Sequence, residues 1–598
     1  MKKIGLGIFI LAFGFFISAI TFGKFELSKE SVQKAIPKQA DFITQTEVFK
    51  LNESKTFGSQ FSFVDIITPM ADEANQLILS ESGIKPEDVT NIIYHSTIDN
   101  KVQFNQNSID LVFDKENEEE AFKNKQLTDN LSWLFGEEIA SIEDLENKLS
   151  NKVSEINQSI LRSKGFDLDY LTDTKFQLTK ASTVGFFANN KGLILFLTII
   201  LGLIGALIYI LPELKKYPGI KNDGVYHSSA TNRGIIGIII GTFLILFYIL
   251  LYWFPQYLTN WVLMVDPLSE SLSGNPASQW FLYGLLYCVA MTVMGIRMII
   301  KYRHNKYQIV RTISVLFFQV GFAFLIPEIL VRLNQPYFDF KNMWPLDYDF
   351  FFDWNINSLI ASGNMGIFML VWGILLFAVG VPVFVYFFGK RWYCSWVCGC
   401  GGLAETLGDP YRQLSNKTLK AWKLERWLIH GVLVFVVVMT GLTLYSFFSG
   451  ASTVLGINTY TVQKTYGFLI GSVFSGVIGT GFYPLLGNRS WCRFGCPLAA
   501  YLGLVQKFKS RFRITTNGGQ CISCGNCSTY CEMGIDVRAY AQKGQNIVRS
   551  SCVGCGVCSA VCPRGVLKLE NGPTDNRVSD LPIILGNDGI AKLNDNLM

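Results

Sequence analysis

Three features of the sequence predict an α-helical polytopic membrane bundle of about eight spans with a folded domain at each end. Apolar runs of about twenty residues, the length a bilayer requires, recur between residues 192 and 486. The segment 24–190 is polar, charged and free of cysteine. Close to the C-terminus, eight of the chain's 14 cysteines crowd between residues 521 and 562. The composition agrees, at 49% hydrophobic, 14% aromatic and only 17% charged. A net charge of +5 is small for 598 residues, and no basic block is interleaved with aromatics, which excludes a nucleic-acid partner.

Residues 1–23 read as a signal anchor or signal peptide. Lys2 and Lys3 precede an apolar run that is long for a signal core and lacks a clean A-x-A site, which favours the anchor. Either way the following segment is exported. Residues 24–190 read as an extracytoplasmic α+β domain, with helical periodicity over 137–164 and a strand-like stretch over 89–109. The acid-rich run 114–120 reads as solvated surface, and His95 as a structural histidine.

Residues 191–510 form the membrane domain, with spans at 192–211, 234–254, 280–300, 312–330, 365–388, 427–448 and 467–486; the N-terminal run makes eight. The last is the weakest, being rich in Gly and Ser. Basic residues follow alternate spans: Lys215, Lys216, Lys221 and Arg233; Lys301, Arg303 and Lys306; Lys390, Arg391, Arg412, Lys420 and Lys423; then Arg489, Arg493 and others to Arg513. Those loops face the cytoplasm of a bacterial inner (cytoplasmic) membrane, and the loops 266–279 and 332–357 face outward. Parity places the C-terminal module in the cytoplasm, where thiols stay reduced. Glu328, beside Pro327, is an intramembrane carboxylate and a candidate on that ground, near enough to a span end to snorkel. The loop 337–354, with Asp339, Asp347, Asp349 and Asp353, reads as an aromatic interface belt; docking a basic partner and lining a quinol pocket are the alternatives.

The cysteines of 511–570 fall in two runs, CISCGNCSTYC and CVGCGVCSAVC, each spaced C-x2-C-x2-C-x3-C. That is the bacterial-type two-[4Fe-4S] ferredoxin pattern, in which each run's fourth cysteine serves the other cluster. Cys521, Cys524, Cys527 and Cys562 then hold one cluster, and Cys552, Cys555, Cys558 and Cys531 the second. A zinc reading exists for a lone C-x2-C, and two complete runs count against it. The second run ends Cys562-Pro563, whereas the first ends Cys531-Glu532. The tail 571–598 has little core-forming material.

A second cysteine set occurs twice at the membrane edge, at 389–400 and 487–497, both reading G-x-R-x-aromatic-C-x3-C. Cys394 and Cys398, and Cys492 and Cys496, share a face if each segment is helical. Together they supply the four thiolates of a third cluster, and the flanking arginines lower thiol pKa. Thiol or metal handling without a cluster, and plain burial of small apolar side chains, stay open beside this reading. Cys400 is a spare ligand; Cys288, mid-span, is packing. Four histidines exclude a multi-haem core. A single haem held by His227 and His430 is the remaining haem reading, and the usual structural role of interfacial histidine counts against it.

Paired C-x3-C motifs at helix ends, followed by a two-cluster ferredoxin, resemble the membrane polyferredoxins of the NapH, NosR and CcoG group over about residues 365–570. The group's C-x3-C-P is met by Cys496-Pro497, while the first copy departs with Cys398-Gly399-Cys400. NosR-like members carry a covalent flavin at an S/T-G-A-T core. The nearest match, Ser228-Ser229-Ala230-Thr231, falls in a cytoplasmic loop, which argues against flavin. The resemblance implies electron transfer between cytoplasmic clusters, quinone or quinol and an extracytoplasmic acceptor, as a quinol-dehydrogenase-type component with a redox partner protein. The alternative is an assembly, maturation or redox-regulatory factor of CcoG-like metal reduction.

Overall fold

The computed structural model of the chain describes all residues except 99–100, 115, 136–140, 166–167, 216–233, 451–452, 455, 518–519, 572–582, 586–588 and 592–598. Lys216, Lys221, His227, the 228–231 run, Arg233 and most of the tail 571–598 therefore lie outside the described residues. Packing divides the chain into two compact units.

One unit comprises Gly14–Leu195 and Trp253–Met264. It is mostly helical. Ser59 caps the long helix Gln60–Ser82, accepting from the Phe61 N–H, and Phe63, Ile67, Met70, Ala74 and Ile78 recur at helical spacing on its buried face. Ser141 caps Ile142–Lys164 in the same way, within the stretch whose periodicity predicts a helix. The described strands are two or three residues long; Lys24–Glu26 lies between Thr56–Phe57 and Thr183–Val184, with Phe25 opposite both Phe57 and Thr183. The strand-like reading of 89–109 holds only for the short antiparallel pair Thr97–Ile98 and Lys101–Val102 and is otherwise corrected. Pro86–His95 is a helix with proline in its first turn, burying Val89 and Ile92, and Gln106–Asp110 is a second. The apolar spacing of three, 89 to 92, outweighs β-branched propensity there. His95 ends the first helix with its ring edge-on to Tyr94.

The other unit comprises Met1–Phe13, Phe196–Tyr252 and Val265–Met598. Among the described residues six helices are long and apolar enough to cross a membrane: Lys191–Ile210, Ile235–Trp253, Gln279–Lys301, Lys306–Arg332, Gly363–Phe388 and Leu419–Ser449. Their ends follow from local chemistry. Ser278, Asn305 and Thr418 cap three of them, and Gly450 in the left-handed region (φ 70°) stops the last. Two carry π-helical turns, Phe318–Leu325 and Leu376–Gly380, each just before a proline, Pro327 and Pro382, that cannot donate to the ladder.

Two of the eight expected spans are not among the six. The N-terminal helix Lys2–Ser18 is apolar but 17 residues long. Around 467–486 the chain is helical through Thr459–Tyr466, the π-helical Gly467–Ile478 and Gly479–Gly481, then breaks at Phe482 before Tyr483–Leu486. Gln463, Lys464 and the Gly/Ser content keep it less apolar than the six.

The loop 333–352 does not lie flat as a belt. Trp344 and Phe351 pack on Phe377 with centroids 5.1 and 5.9 Å apart, Phe350 fills the space beside Gly373, and Trp372 Nε1 donates to the Phe340 carbonyl at 2.8 Å. Phe377 lies beyond the middle of Gly363–Phe388, so the loop enters the bundle. Irregular backbone at such a depth is tolerated when protein surrounds it.

Candidate iron–sulfur sites

The C-terminal module is closed by one antiparallel pair, Phe512–Thr516 with Leu567–Asn571. The two cysteine runs lie between these strands and repeat each other's backbone. Ser523 and Gly554, Gly525 and Gly556, and Gly534 and Gly565 occupy equivalent places, and all six have positive φ, between 58° and 80°. Each turn starts a four-residue helix, Asn526–Thr529 or Val557–Ala560, that carries Cys527 or Cys558. Glycine relieves the strain of positive φ; Ser523 alone adopts it with a side chain.

This backbone gathers the cysteines into two sets. Cys521, Cys524, Cys527 and Cys562 line one small cavity, and Cys531, Cys552, Cys555 and Cys558 line another. These are the cross-paired sets that the spacing predicts. They differ in exposure: Cys524 is exposed, whereas Cys552 and Cys558 are buried. Burial pushes the Cys527 and Cys552 thiols up to about 11 and Cys555 to about 12. A coordinated metal overrides such shifts, because a ligating thiol is deprotonated outright. Four convergent thiols per cavity fit the donor count of a [4Fe–4S] cluster.

The membrane-edge repeats also share a local fold. Gly389 (φ 69°) and Gly487 (φ 90°) start them. Short helices follow, Arg391–Cys394 and Ser490–Phe494. The N–H of Cys398 then donates to Tyr393 at 2.8 Å and that of Cys496 to Trp491 at 3.0 Å. Cys398 and Cys496 cap the next helices, Gly399–Thr406 and Pro497–Lys509. The expected single helical face is therefore corrected: each pair straddles a turn between two helices, since Cys398 and Cys496 have extended backbones. Cys394, Cys398, Cys492 and Cys496 are nevertheless all buried in one cluster, close enough for their charges to act on one another. The expected lowering of thiol pKa is corrected as well. Burial pushes Cys492 up and outweighs the opposing Arg489, and it pushes Cys394 up past Lys390. A hydrogen bond with Cys400 holds Cys398 below the ordinary thiol range and Cys400 well above it.

Side chains of the membrane part grip the second cysteine run by its carbonyls. Ser395 Oγ donates to Val553 at 2.8 Å, Tyr307 to Gly554 at 2.9 Å, Gln308 to Cys555 at 2.8 Å and Gln506 to Cys552 at 2.9 Å. Beside this seam lies a buried ionic network. Glu532 pairs with Arg412 at 2.7 Å and Arg489 at 3.1 Å, Glu405 pairs with Arg311 and Arg489, and Asp409 pairs with Lys301 at 2.6 Å and Arg412 at 3.3 Å. Burial would raise Glu532, but Arg412, Arg489 and Arg311 prevail and hold it at about 2. Oxygens of Glu405 and Glu532 and the Cys555 sulfur lie within 4.8 Å of one another, and guanidinium groups occupy their surroundings. Sequence reasoning missed these acids. The one signal was Glu532 standing where the second run has Pro563. The repeats diverge here: Arg489 enters the network, whereas its counterpart Arg391 bonds the Phe388 carbonyl and stacks on Phe512.

A cavity of about 690 Å³ runs through the membrane part, from Ser273 and Asn275 to Cys400 and Cys492. Tyr248, Tyr252, Tyr283 and Tyr287 line it; Tyr248 and Tyr283 hydroxyls are 3.4 Å apart, and Tyr287 donates to Gln319 at 3.4 Å. Glu328 and Cys288 line it too, so both take part in a larger feature than the sequence suggests. His430 sits part-buried in Leu419–Ser449.

Comparison with known proteins bears on both cysteine regions. Residues 513–563 match the 4Fe-4S dicluster domain, and residues 370–418 and 469–515 each match the 4Fe-4S binding domain. The second model thus falls on both repeats, and the chain contains 4Fe–4S cluster-binding domains. YccM of Escherichia coli (strain K12), assigned by its name to electron transport, is 30% identical over 170 residues, 25% of this chain and 43% of that protein. The methylamine utilization ferredoxin-type protein MauN of Methylobacillus flagellatus is 27% identical over 168 residues, 27% of this chain and 56% of its own length. MauN of Paracoccus denitrificans is 29% identical over 185 residues, 29% of this chain and 60% of its own. The chain spans about half the length of these relatives. No solved structure matches it. The chain is thus similar, over about a quarter of its length, to ferredoxin-type proteins.

Proposed function

We propose that the protein is a membrane-bound iron–sulfur electron carrier of the NapH/NosR/CcoG type. The observation that carries this reading is the pair of four-cysteine cavities, the more buried of which is gripped by the membrane part beside a further buried cysteine quartet. Cys521, Cys524, Cys527 and Cys562 hold one [4Fe–4S] cluster, and Cys531, Cys552, Cys555 and Cys558 a second. Cys394, Cys398, Cys492 and Cys496 hold a third. The clusters supply one-electron storage; the chain supplies ligation, graded exposure and charge. The exposed Cys524 end suits a soluble redox partner. The tyrosine-lined cavity ends at Cys400 and Cys492 and offers hydroxyls and Gln319 to the ring oxygens of a quinone or quinol.

The same reading takes eight spans. Gly5 and Gly205 let the helix Lys2–Ser18 approach Lys191–Ile210 backbone to backbone: a Cβ on Gly5 would meet Tyr209 N at 2.6 Å, and one on Gly205 would meet Phe9 N at 2.6 Å. Such packing suits a retained anchor. The chain from Thr459 runs back along Leu419–Ser449, with Gln463 Nε2 on Thr443 at 3.0 Å and Phe435 against Tyr466, and its far end returns Arg493 to Glu425 at 2.8 Å. It therefore covers the same depth as its neighbour. With both counted, residues 24–190 are extracytoplasmic, 191–510 form the membrane domain, and 511–570 are the cytoplasmic ferredoxin.

The test is to add menaquinol to the purified protein and follow the clusters by absorbance and EPR. Cluster reduction, weakened by Tyr287→Phe, is the expected result. No response to any quinol, with rapid reduction of cupric ion, favours the metal-reducing assembly role instead.

A further inference from the structure

Glu532 follows the proposed ligand Cys531 at the place where the second run has Pro563 after Cys562. A carboxylate there is costly unless paired, because its side chain is fully removed from water. Its partners are specific. Its Oε2 accepts from Arg412 Nη1 at 2.7 Å and from Asn488 Nδ2 at 3.2 Å, and its Oε1 forms an ion pair with Arg489 Nη2 at 3.1 Å. Its backbone carbonyl accepts from Ser415 Oγ at 2.7 Å. Both arginines then go on to sulfur. Arg489 Nη1 lies 3.6 Å from Cys492 Sγ, and Arg412 Nη1 lies 4.0 Å from Cys555 Sγ. Glu405 also holds Arg489 and Asp409 also holds Arg412, but among the described residues Glu532 is the one carboxylate paired with both guanidinium groups, one at the membrane-edge cysteines and one in the ferredoxin module.

We propose that Glu532 is a positioning residue shared by the two sites: by fixing Arg489 on Cys492 and Arg412 on Cys555 it sets the charge at each and the contact path between them. The inference rests on reading both cysteine sets as cluster ligands. A cysteine-ligated cluster gains negative charge on reduction. A guanidinium at its sulfur favours the reduced form, and a nearby carboxylate opposes it. In a buried site of low effective dielectric such terms are large, and charge and hydrogen bonding at sulfur are recognised determinants of cluster potential. Removing the Glu532 charge leaves Arg489 with Glu405 and Arg412 with Asp409 as their remaining carboxylates, so the net positive charge beside both sulfurs rises; removing Arg412 takes a positive charge from beside the Cys555 sulfur and leaves Glu532, within 4.8 Å of it, without its shorter ion pair. The two substitutions therefore move the potential in opposite directions, which a general loosening of the fold does not do.

The test is an equilibrium redox titration of the full-length protein followed by EPR, with iron and sulfide measured on each variant. At a fixed poise Glu532→Gln is expected to be about tenfold more reduced than wild type, about 59 mV for a one-electron couple. Arg412→Gln is expected to be about tenfold less reduced, and Glu532→Asp, which keeps the charge, to stay near wild type. Shifts of the same sign, or no shift with clusters retained, overturn the proposal. So does loss of clusters from Glu532→Gln, which makes the residue merely structural. Absence of cluster signal from the wild type as well fails the underlying cluster reading, and the proposal with it, and is told apart by the wild-type iron content.

Discussion

Cys400 is the residue on which the two membrane-edge repeats part. The second repeat has proline after Cys496; the first has Gly399 and then a fifth thiol hydrogen-bonded to Cys398. Cys398 stands where the second repeat has Cys496, which makes it the expected ligand, and Cys400 is the spare thiol beside it. Cys400→Ser is expected to leave the iron content unchanged, whereas Cys398→Ser loses about four irons per chain; a loss from Cys400→Ser alone contradicts that assignment. A second residue-scale expectation concerns Asp347. Burial first, then Asp349 and Asp339, raise it above the ordinary carboxylate range, with Lys341 opposing. A carboxyl raised in this way keeps a proton that the unfolded chain has lost, so its contribution to stability falls as pH rises from about 4 through the folded value. Asp347→Asn is expected to flatten that fall in thermal-unfolding midpoints measured between pH 5 and pH 9. An unchanged pH profile contradicts it.

The helix pair Lys2–Ser18 and Lys191–Ile210 is joined by small residues, Gly5 against Gly205. Gly205→Leu is expected to cost about 1–3 kcal/mol by overpacking, seen as a lower unfolding temperature in detergent; an unchanged temperature means the two helices do not share this contact. At the element scale the sequence was readable where one local signal suffices. The cross-pairing of eight cysteines was legible because the spacing matches the two-cluster ferredoxin rule, and each cavity is lined by the cysteines that rule groups. Six spans followed from length and apolarity. The helix Pro86–His95 was misread because four of its residues, Val89, Thr90, Ile92 and Ile93, are β-branched. The two cysteine pairs were misread as lying on single helices because nothing in C-x3-C signals the extended residues Cys398 and Cys496. The entry of loop 333–352 into the bundle, and the pairing of Glu532 with arginines 120 and 43 positions away, depend on contacts between distant segments that no local pattern encodes.

At the scale of the whole molecule, three sulfur-rich sites are arranged in order of exposure. Cys524 faces outward, Cys552 and Cys558 are enclosed, and the membrane-edge quartet is buried beside the tyrosine-lined cavity. A green fluorescent reporter fused after Met598 is expected to fluoresce, and an exported phosphatase fused there to stay inactive; the reverse pattern removes either the N-terminal helix or the 459–486 segment from the spans. We propose above that the membrane-edge quartet is a cluster site continuous with the ferredoxin module. Iron and acid-labile sulfide per chain test it most directly, in the wild type and in Cys394→Ser combined with Cys492→Ser. About twelve of each are expected in the wild type and about eight in the variant; about eight in both contradicts a cluster at the membrane-edge quartet.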